Sequence, residues 1–150
     1  MRYFLDTEFD GFGGPLLSLG LAAEHGDNDY YVVIPHDHEP TEWVARHVVP
    51  YLKSVPTTLY NQLDREAAAH DIAAYLASDP DPEIIADWPE DIALFCRLLL
   101  VGDTEIVDIS HLRFRFLRTP GFSTARNSAV PHNALHDARA LRDFVLSTEG

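Results

Sequence analysis

The chain of 150 residues carries a single cysteine, Cys96. An internal disulfide is therefore excluded, and a reducing compartment is expected, most simply the cytoplasm. No apolar run approaches the ~20 residues that a membrane-spanning helix needs, so no membrane association is expected. No basic and apolar leader pattern precedes the first strand-like segment, and no targeting peptide is expected. Internal repeats and low-complexity tracts are absent as well. Positive charge is scarce: 11 Lys and Arg stand against 24 Asp and Glu, a formal net charge of -13. Such a chain as a whole repels polyanions. One interval reverses the balance. Between Asp108 and Asp137 there is no acid at all, while Arg113, Arg115, Arg118, Arg126, His111, His132 and His136 fall inside it. That pattern suggests an anionic ligand met locally, and it also describes an ordinary solvated loop.

What is present is enough apolar material for a core. Hydrophobic residues make up 46% of the chain, which excludes a disordered protein, and the length suits a single domain over residues 1–150. The opening stretch, MRYFLDTEFDGF, reads as a strand that runs into two carboxylates. With side chains alternating faces, Asp6 and Glu8 point one way and Tyr3, Leu5, Thr7 and Phe9 the other. Strands are also expected over Leu16–Glu24 and Asp29–Ile34, joined by a turn at His25–Asn28. Thr41 caps a short helix that reaches about Val49 and ends at Pro50. Asn61 reads as the cap of a longer helix over Gln62–Ser78. EIIA at Glu83–Ala86 is a short buried strand, Pro89 opens a helix to about Leu100, and TEIVDI at Thr104–Ile109 reads as a fifth strand. Residues 110–131 form the basic loop, and a last helix covers Asn133 to about Leu146. This order implies an α/β fold: a mixed five-stranded sheet, an antiparallel meander plus parallel strands, flanked by helices. It is the layout of a ribonuclease H-like fold.

Three acidic pieces converge in that layout. They are Asp6 and Glu8 at the end of the first strand, the segment ADWPED with Asp87 and Asp91, and HNALHD over His132–Asp137. At ~100° per residue, Asp137 lies ~60° from the apolar line of its helix and borders the buried face. Buried acids brought together cost free energy unless something positive compensates, and hard divalent cations prefer carboxylate oxygen. Two cations ~3.5–4 Å apart can activate a water and stabilise the leaving oxygen of an in-line displacement. A histidine beside them can take the proton of the attacking water. The chemistry that fits is metal-assisted phosphodiester hydrolysis. The histidines of PHDHEP, His36 and His38, have no further partner in sequence and read as an exposed loop.

DTE at Asp6–Glu8 resembles the first motif, DxE, of the DEDDh superfamily of 3′–5′ exonucleases. HNALHD at His132–Asp137 resembles its third motif, HxAxxD. The compact length, the RYFLDTEFDG opening and the EDIALFC segment are most similar to a short stand-alone branch, the mycobacterial-type 3′–5′ exoribonucleases. The resemblance implies that Asp6, Glu8, Asp91 and Asp137 bind two Mg²⁺ or Mn²⁺ ions and that His132 is the general base. It further implies RNA, single-stranded or with a 3′ overhang, as substrate, nucleoside 5′-monophosphate as product, and a homodimer. Arg113, Arg115, Arg118 and Arg126 are candidates for backbone phosphates, since arginine suits bidentate phosphate contact. Phe9 either stacks on a terminal base or packs in the core. The chain departs from the pattern in two places: the first motif, often followed by Thr-Gly, is followed here by Phe9-Asp10-Gly11. The second motif has Asn four residues before its Asp, where this chain has Asp87, so Asp87 stands as the alternative to Asp91. A DNA-directed exonuclease, an endonuclease and a non-catalytic RNA-binding domain remain as other readings.

Overall fold

The first strand, β1 (Arg2–Phe9), takes the central place in a five-stranded sheet of order β3-β2-β1-β4-β5. The computed structural model describes residues 1–150. β2 (Leu16–Ala23) and β3 (Tyr30–Val33) form the antiparallel meander with β1. β4 (Glu83–Ala86) and β5 (Arg113–Phe116) add on the other side in parallel. Helices cover both faces: α1 (Glu42–His47), α2 (Arg65–Leu76), α3 (Pro89–Leu98), a short α4 (Thr124–Asn127) and the long α5 (Ala134–Glu149). None is long and apolar enough to cross a membrane.

Alternation along β1 divides the core in two. Tyr3 and Leu5 join Leu19, Leu21 and Ile84 under α2 and α3, where Ile72, Leu76, Phe95 and Leu98 close the layer. Phe4 faces the other way, with Ala22 and Ile85, under Ala138, Leu141 and Val145 of α5. Asp6 and Glu8 continue the Phe4 face, so the pleat alone aims them at the start of α5.

Three local expectations are corrected. The segment TEIVDI is not a sheet strand. Ile106 makes one isolated antiparallel bridge to Leu100, and Val107 turns into the core. The fifth strand is instead RFRF at 113–116, inside the expected basic loop, with all four residues exposed. An edge strand flanked by charge carries no buried stripe to announce it. The second correction concerns α2, which starts at Arg65 and not at Gln62. Asp64 caps it by accepting from the Ala67 N–H at 2.8 Å. Asn61 and Gln62 stay extended, because the Val33 N–H donates to the Asn61 carbonyl and the Leu63 N–H to the Val33 carbonyl. Third, Pro50 does not simply end α1. It sits inside a 3-10 turn, Val49–Tyr51.

Candidate active site

The candidate site lies where the C-terminal ends of β1 and β4 meet the first turns of α3 and α5. In parallel sheets this edge is where ligands bind. The approach of α5 is set by Gly20, which pairs with Asp6 across β1 and β2. A Cβ on Gly20 would stand 2.6 Å from the Ala134 carbonyl oxygen and 2.8 Å from the Leu135 Cα. Only glycine lets the helix rest directly on the strand, and that contact carries Asp137 to Asp6 and Glu8.

The start of α5 is further fixed by Asn133, which is buried. Its side-chain oxygen accepts from the Leu135 and His136 N–H groups at 3.1 and 3.2 Å. Its amide donates to the Tyr51 carbonyl at 2.9 Å. Just before it, His132 is the one non-glycine residue in the left-handed region, at φ 67°. Its N–H donates to Asp137 Oδ2 at 3.1 Å, so the turn that strains His132 also ties it to the acid. The imidazole packs edge-on against Trp43 of α1, ring centroids 5.0 Å apart, with His47 beyond at 6.4 Å.

Asp91 enters from α3. It is 3% exposed and accepts from Thr7 Oγ1 at 2.6 Å. Asp87, just after β4, is half-buried and accepts from Thr119 Oγ1 at 3.1 Å. Asp6 feels the four other carboxyls. Burial pushes Asp6 well above the usual carboxylate range, and Asp91, Glu8, Asp137 and Asp87 add to it. Burial and then Asp137 and Asp91 push Glu8 up to about 9. Asp91 rises to about 7 by burial, despite the Thr7 hydrogen bond. Burial brings Asp137 to about 6, and raises Asp87 also. The His132 imidazole is pushed the other way, below its ordinary value, by burial and by the neighbouring His47.

No Lys or Arg offsets this cluster. Asp6 Oδ2 and Asp137 Oδ1 are buried with no hydrogen-bond partner. Ligand atoms of Glu8, His132 and Asp137 lie within 4.8 Å of one another, close enough to share an ion. Unpartnered buried oxygens on several acids are the donor set a hard divalent cation takes. The residues present fit such an ion.

The remaining candidates fall elsewhere. Arg113 is held by Asp81 and Glu83 at the opposite end of the sheet. It pairs in register with Glu83, which pairs with Arg2. At ~3.3 Å per residue, the four to six residues from Arg2 to Asp6 and Glu8 separate it from the acids by roughly 13–20 Å. Arg115 lies in a groove beside Thr148 and Glu149 of α5. Arg126 donates to the Gly121 carbonyl at 3.0 Å. Arg118 borders the site, in a cleft with Asp87 and Trp88. Phe9 is partly buried and packs on the main core. His136 is half-buried, with its Nε2 2.8 Å from the Ser54 carbonyl. Thr7, Gly20, Trp43, His47 and Asn133 carry roles that the sequence reading did not assign. A lone glycine inside an apolar strand is a signal of close approach and could have pointed to Gly20.

No known family model matches the chain. A stretch of 82 residues, 53% of the chain, is 38% identical to 3′-5′ exoribonucleases of Mycobacterium tuberculosis, strains CDC 1551 / Oshkosh and H37Rv. The match covers 48% of each, so the chain spans about half the length of the curated relatives it matches.

Proposed function

We propose that this protein is a metal-dependent 3′–5′ exoribonuclease of the DEDDh type, on a ribonuclease H-like fold. The observation that carries the reading is the cluster of Asp6, Glu8, Asp91 and Asp137, the first two part-buried and the last two buried, without a cation of the chain's own and set beside a histidine kept neutral. The partial likeness to mycobacterial exoribonucleases supports RNA as the substrate. Asp6, Glu8, Asp91 and Asp137 would hold two Mg²⁺ or Mn²⁺ ions, which supply charge neutralisation at the phosphate and a more acidic water.

The chain's own groups do the rest. His132, neutral near pH 7, accepts a proton from the attacking water at a ring nitrogen. The water oxygen forms a bond to phosphorus and the bond to the 3′ oxygen of the preceding nucleotide breaks, that oxygen taking a proton from solvent to become the new 3′ hydroxyl. A nucleoside 5′-monophosphate leaves, together with a chain one residue shorter. The His132 N–H bond to Asp137 holds base and acid in register. Thr7 fixes one Asp91 oxygen and leaves the other for an ion. Arg118 is the arginine best situated for a backbone phosphate, and Phe9 serves mainly to pack the strand end. A cytoplasmic homodimer accompanies this reading, through the resemblance alone.

The deciding experiment is incubation of a 5′-labelled RNA and its DNA counterpart with Mn²⁺ or with EDTA. A metal-dependent ladder that shortens from the 3′ end is expected, stronger on RNA. Internal cuts in place of the ladder would make it an endonuclease. No cleavage of either substrate would overturn the assignment.

A further inference from the structure

Four buried side-chain oxygens in the chain have no hydrogen-bond partner, and they gather at one place. Two belong to the acids, Asp6 Oδ2 and Asp137 Oδ1. The other two are hydroxyls, Ser18 Oγ and Ser128 Oγ. A buried hydroxyl without a partner is costly, and folded chains seldom keep one without a use.

Strand register places the first hydroxyl. Ser18 of β2 stands opposite Glu8 of β1, and opposite Val33 of β3 on its other side. Directly opposed residues share a face, so Ser18 lies on the α5 side of the sheet, beside Glu8. It is 0% exposed. Its other polar neighbour is the Tyr31 phenol. That phenol already donates to the Leu52 carbonyl at 2.7 Å and accepts from the Asn133 amide at 3.4 Å.

The second hydroxyl comes from the loop before α5. The Ser128 N–H donates to the Thr124 carbonyl at 3.0 Å, which closes α4 and fixes where the residue stands. Burial pushes the Asp137 carboxyl up, and the nearby Ser128 hydroxyl is foremost among the groups that hold it down.

Two other acids of the cluster show what such a hydroxyl can do. Thr7 Oγ1 donates to Asp91 at 2.6 Å, and Thr119 Oγ1 to Asp87 at 3.1 Å. Glu8 and Asp137 each have a hydroxyl at hand, and neither hydroxyl is yet bonded. Outer-shell donors of this kind aim the carboxylates that ligate a metal.

We infer that Ser18 and Ser128 are positioning residues for the metal centre: when Glu8 and Asp137 bind a divalent cation, the Ser18 hydroxyl donates to Glu8 and the Ser128 hydroxyl to Asp137. This rests on the metal-dependent reading above and extends it to two residues outside the acidic motifs. The hydroxyls are idle in the metal-free protein and engaged in the loaded one.

That difference gives alanine two separable effects. Mn²⁺ affinity is read by electron paramagnetic resonance of the free ion, and Tm is read in EDTA, for the full chain and for Ser18→Ala, Ser128→Ala and Ser128→Thr. Each alanine variant is expected to bind Mn²⁺ about 10-fold more weakly, the lower end of what an outer-shell partner contributes. Its Tm in EDTA is expected to equal or exceed that of the parent, because an unpartnered hydroxyl has gone. Ser128→Thr is expected to stay within about threefold of the parent, since the hydroxyl is kept. Each serine stands or falls by its own alanine variant. An Mn²⁺ affinity within about twofold of the parent overturns its role. A weaker affinity joined to a lower Tm in EDTA overturns it too, since a merely structural hydroxyl, such as one serving Tyr31, would lower both. A parent that binds no Mn²⁺ overturns the inference together with the metal-dependent reading. If the variants bind Mn²⁺ weakly but the parent never shortens RNA, the hydrolytic reading fails while the positioning roles stand. If the parent shortens RNA and the variants bind Mn²⁺ as it does, the positioning roles fail alone.

Discussion

Asp29, buried, and Asp6, part-buried with one oxygen sealed from water, are both acids beneath α5, and the protein treats them in opposite ways. Asp29 accepts from the Ala23 N–H at 2.9 Å, from Arg139 at 2.7 Å and from Arg142 at 3.5 Å. Every requirement of that charge is met inside the chain. Asp6, near the first turn of the same helix, has one oxygen with no partner and four other carboxyls around it. The arginines that could have neutralised it begin only at Arg139, two residues after Asp137. The fold can satisfy a buried carboxylate, so the uncompensated group is a distinct arrangement and not a failure of packing. A buried charge without a partner costs several kcal/mol, and its persistence points to a cation from outside.

That contrast can be broken most severely at Asp6. If Asp6 is a metal ligand, as proposed, Asp6→Asn should reduce RNA turnover by far more than the ~10–100-fold that loss of an outer-shell partner costs. The metal-free protein should at the same time become more stable at pH 8, since a repelling charge has gone. Single-turnover kinetics and thermal melts check the two signs together. Next in size, His132→Gln should slow turnover by ~10²–10⁴-fold and leave the metal-induced rise in Tm in place. A variant that retains the acidic limb of the pH–rate profile would remove His132 from its role.

Asp29 should respond with the opposite sign. Asp29→Ala leaves Arg139 and Arg142 without their partner, and stability should fall by ~3 kcal/mol in urea unfolding. Turnover by the fraction that remains folded should hardly change.

A smaller effect separates the two acids by pH. Burial above all pushes Glu8, Asp91 and Asp137 up to about 9, 7 and 6 in the folded protein, above their ordinary carboxylate range. The folded state therefore binds more protons than the unfolded state between the unfolded carboxylate range and those values. Stability of the metal-free protein is highest at the acid side of that window and falls as pH rises through about 6 to 9. Mn²⁺ should raise Tm strongly at pH 8 and little at pH 5. Calorimetry in EDTA and in Mn²⁺ at both pH values measures this, and a Tm that climbs with pH in EDTA would contradict the burial of the cluster. Smallest of all is the effect expected of Arg113→Glu. That arginine is bound to Asp81 and Glu83 far from the acids, so the salt dependence of RNA binding should keep its slope.

The sequence showed most of what depends on period and on residue type. Alternation in β1 put Asp6 and Glu8 on one face, and the structure turns that face toward α5. The helical phase of Asp137 predicted a position bordering the buried face, and the residue is 3% exposed. What stayed hidden depends on surfaces that no single segment contains. β5 has no buried stripe, so its arginines read as loop charge when one of them is a structural ion pair. The capping of α5 by Asn133 is local, but its hold on Tyr51 spans 82 positions of chain. What Gly20 is for depends on the helix that rests on it, which comes from the far end of the chain. The four arginines were equal in sequence and are unequal in space.

The rest of α5 on Gly20 also sets an order of events. Asp6, Glu8 and Asp91 are in the first two-thirds of the chain, but Asp137 and His132 arrive only with the last helix. Until α5 lies down on β2, the earlier acids are open to water, repel one another weakly and have no base beside them. The site is thus completed in the same step that seals the Phe4 side of the core. A chain still emerging, or one whose final helix has frayed, has Asp6, Glu8 and Asp91 but lacks Asp137 and His132 beside them.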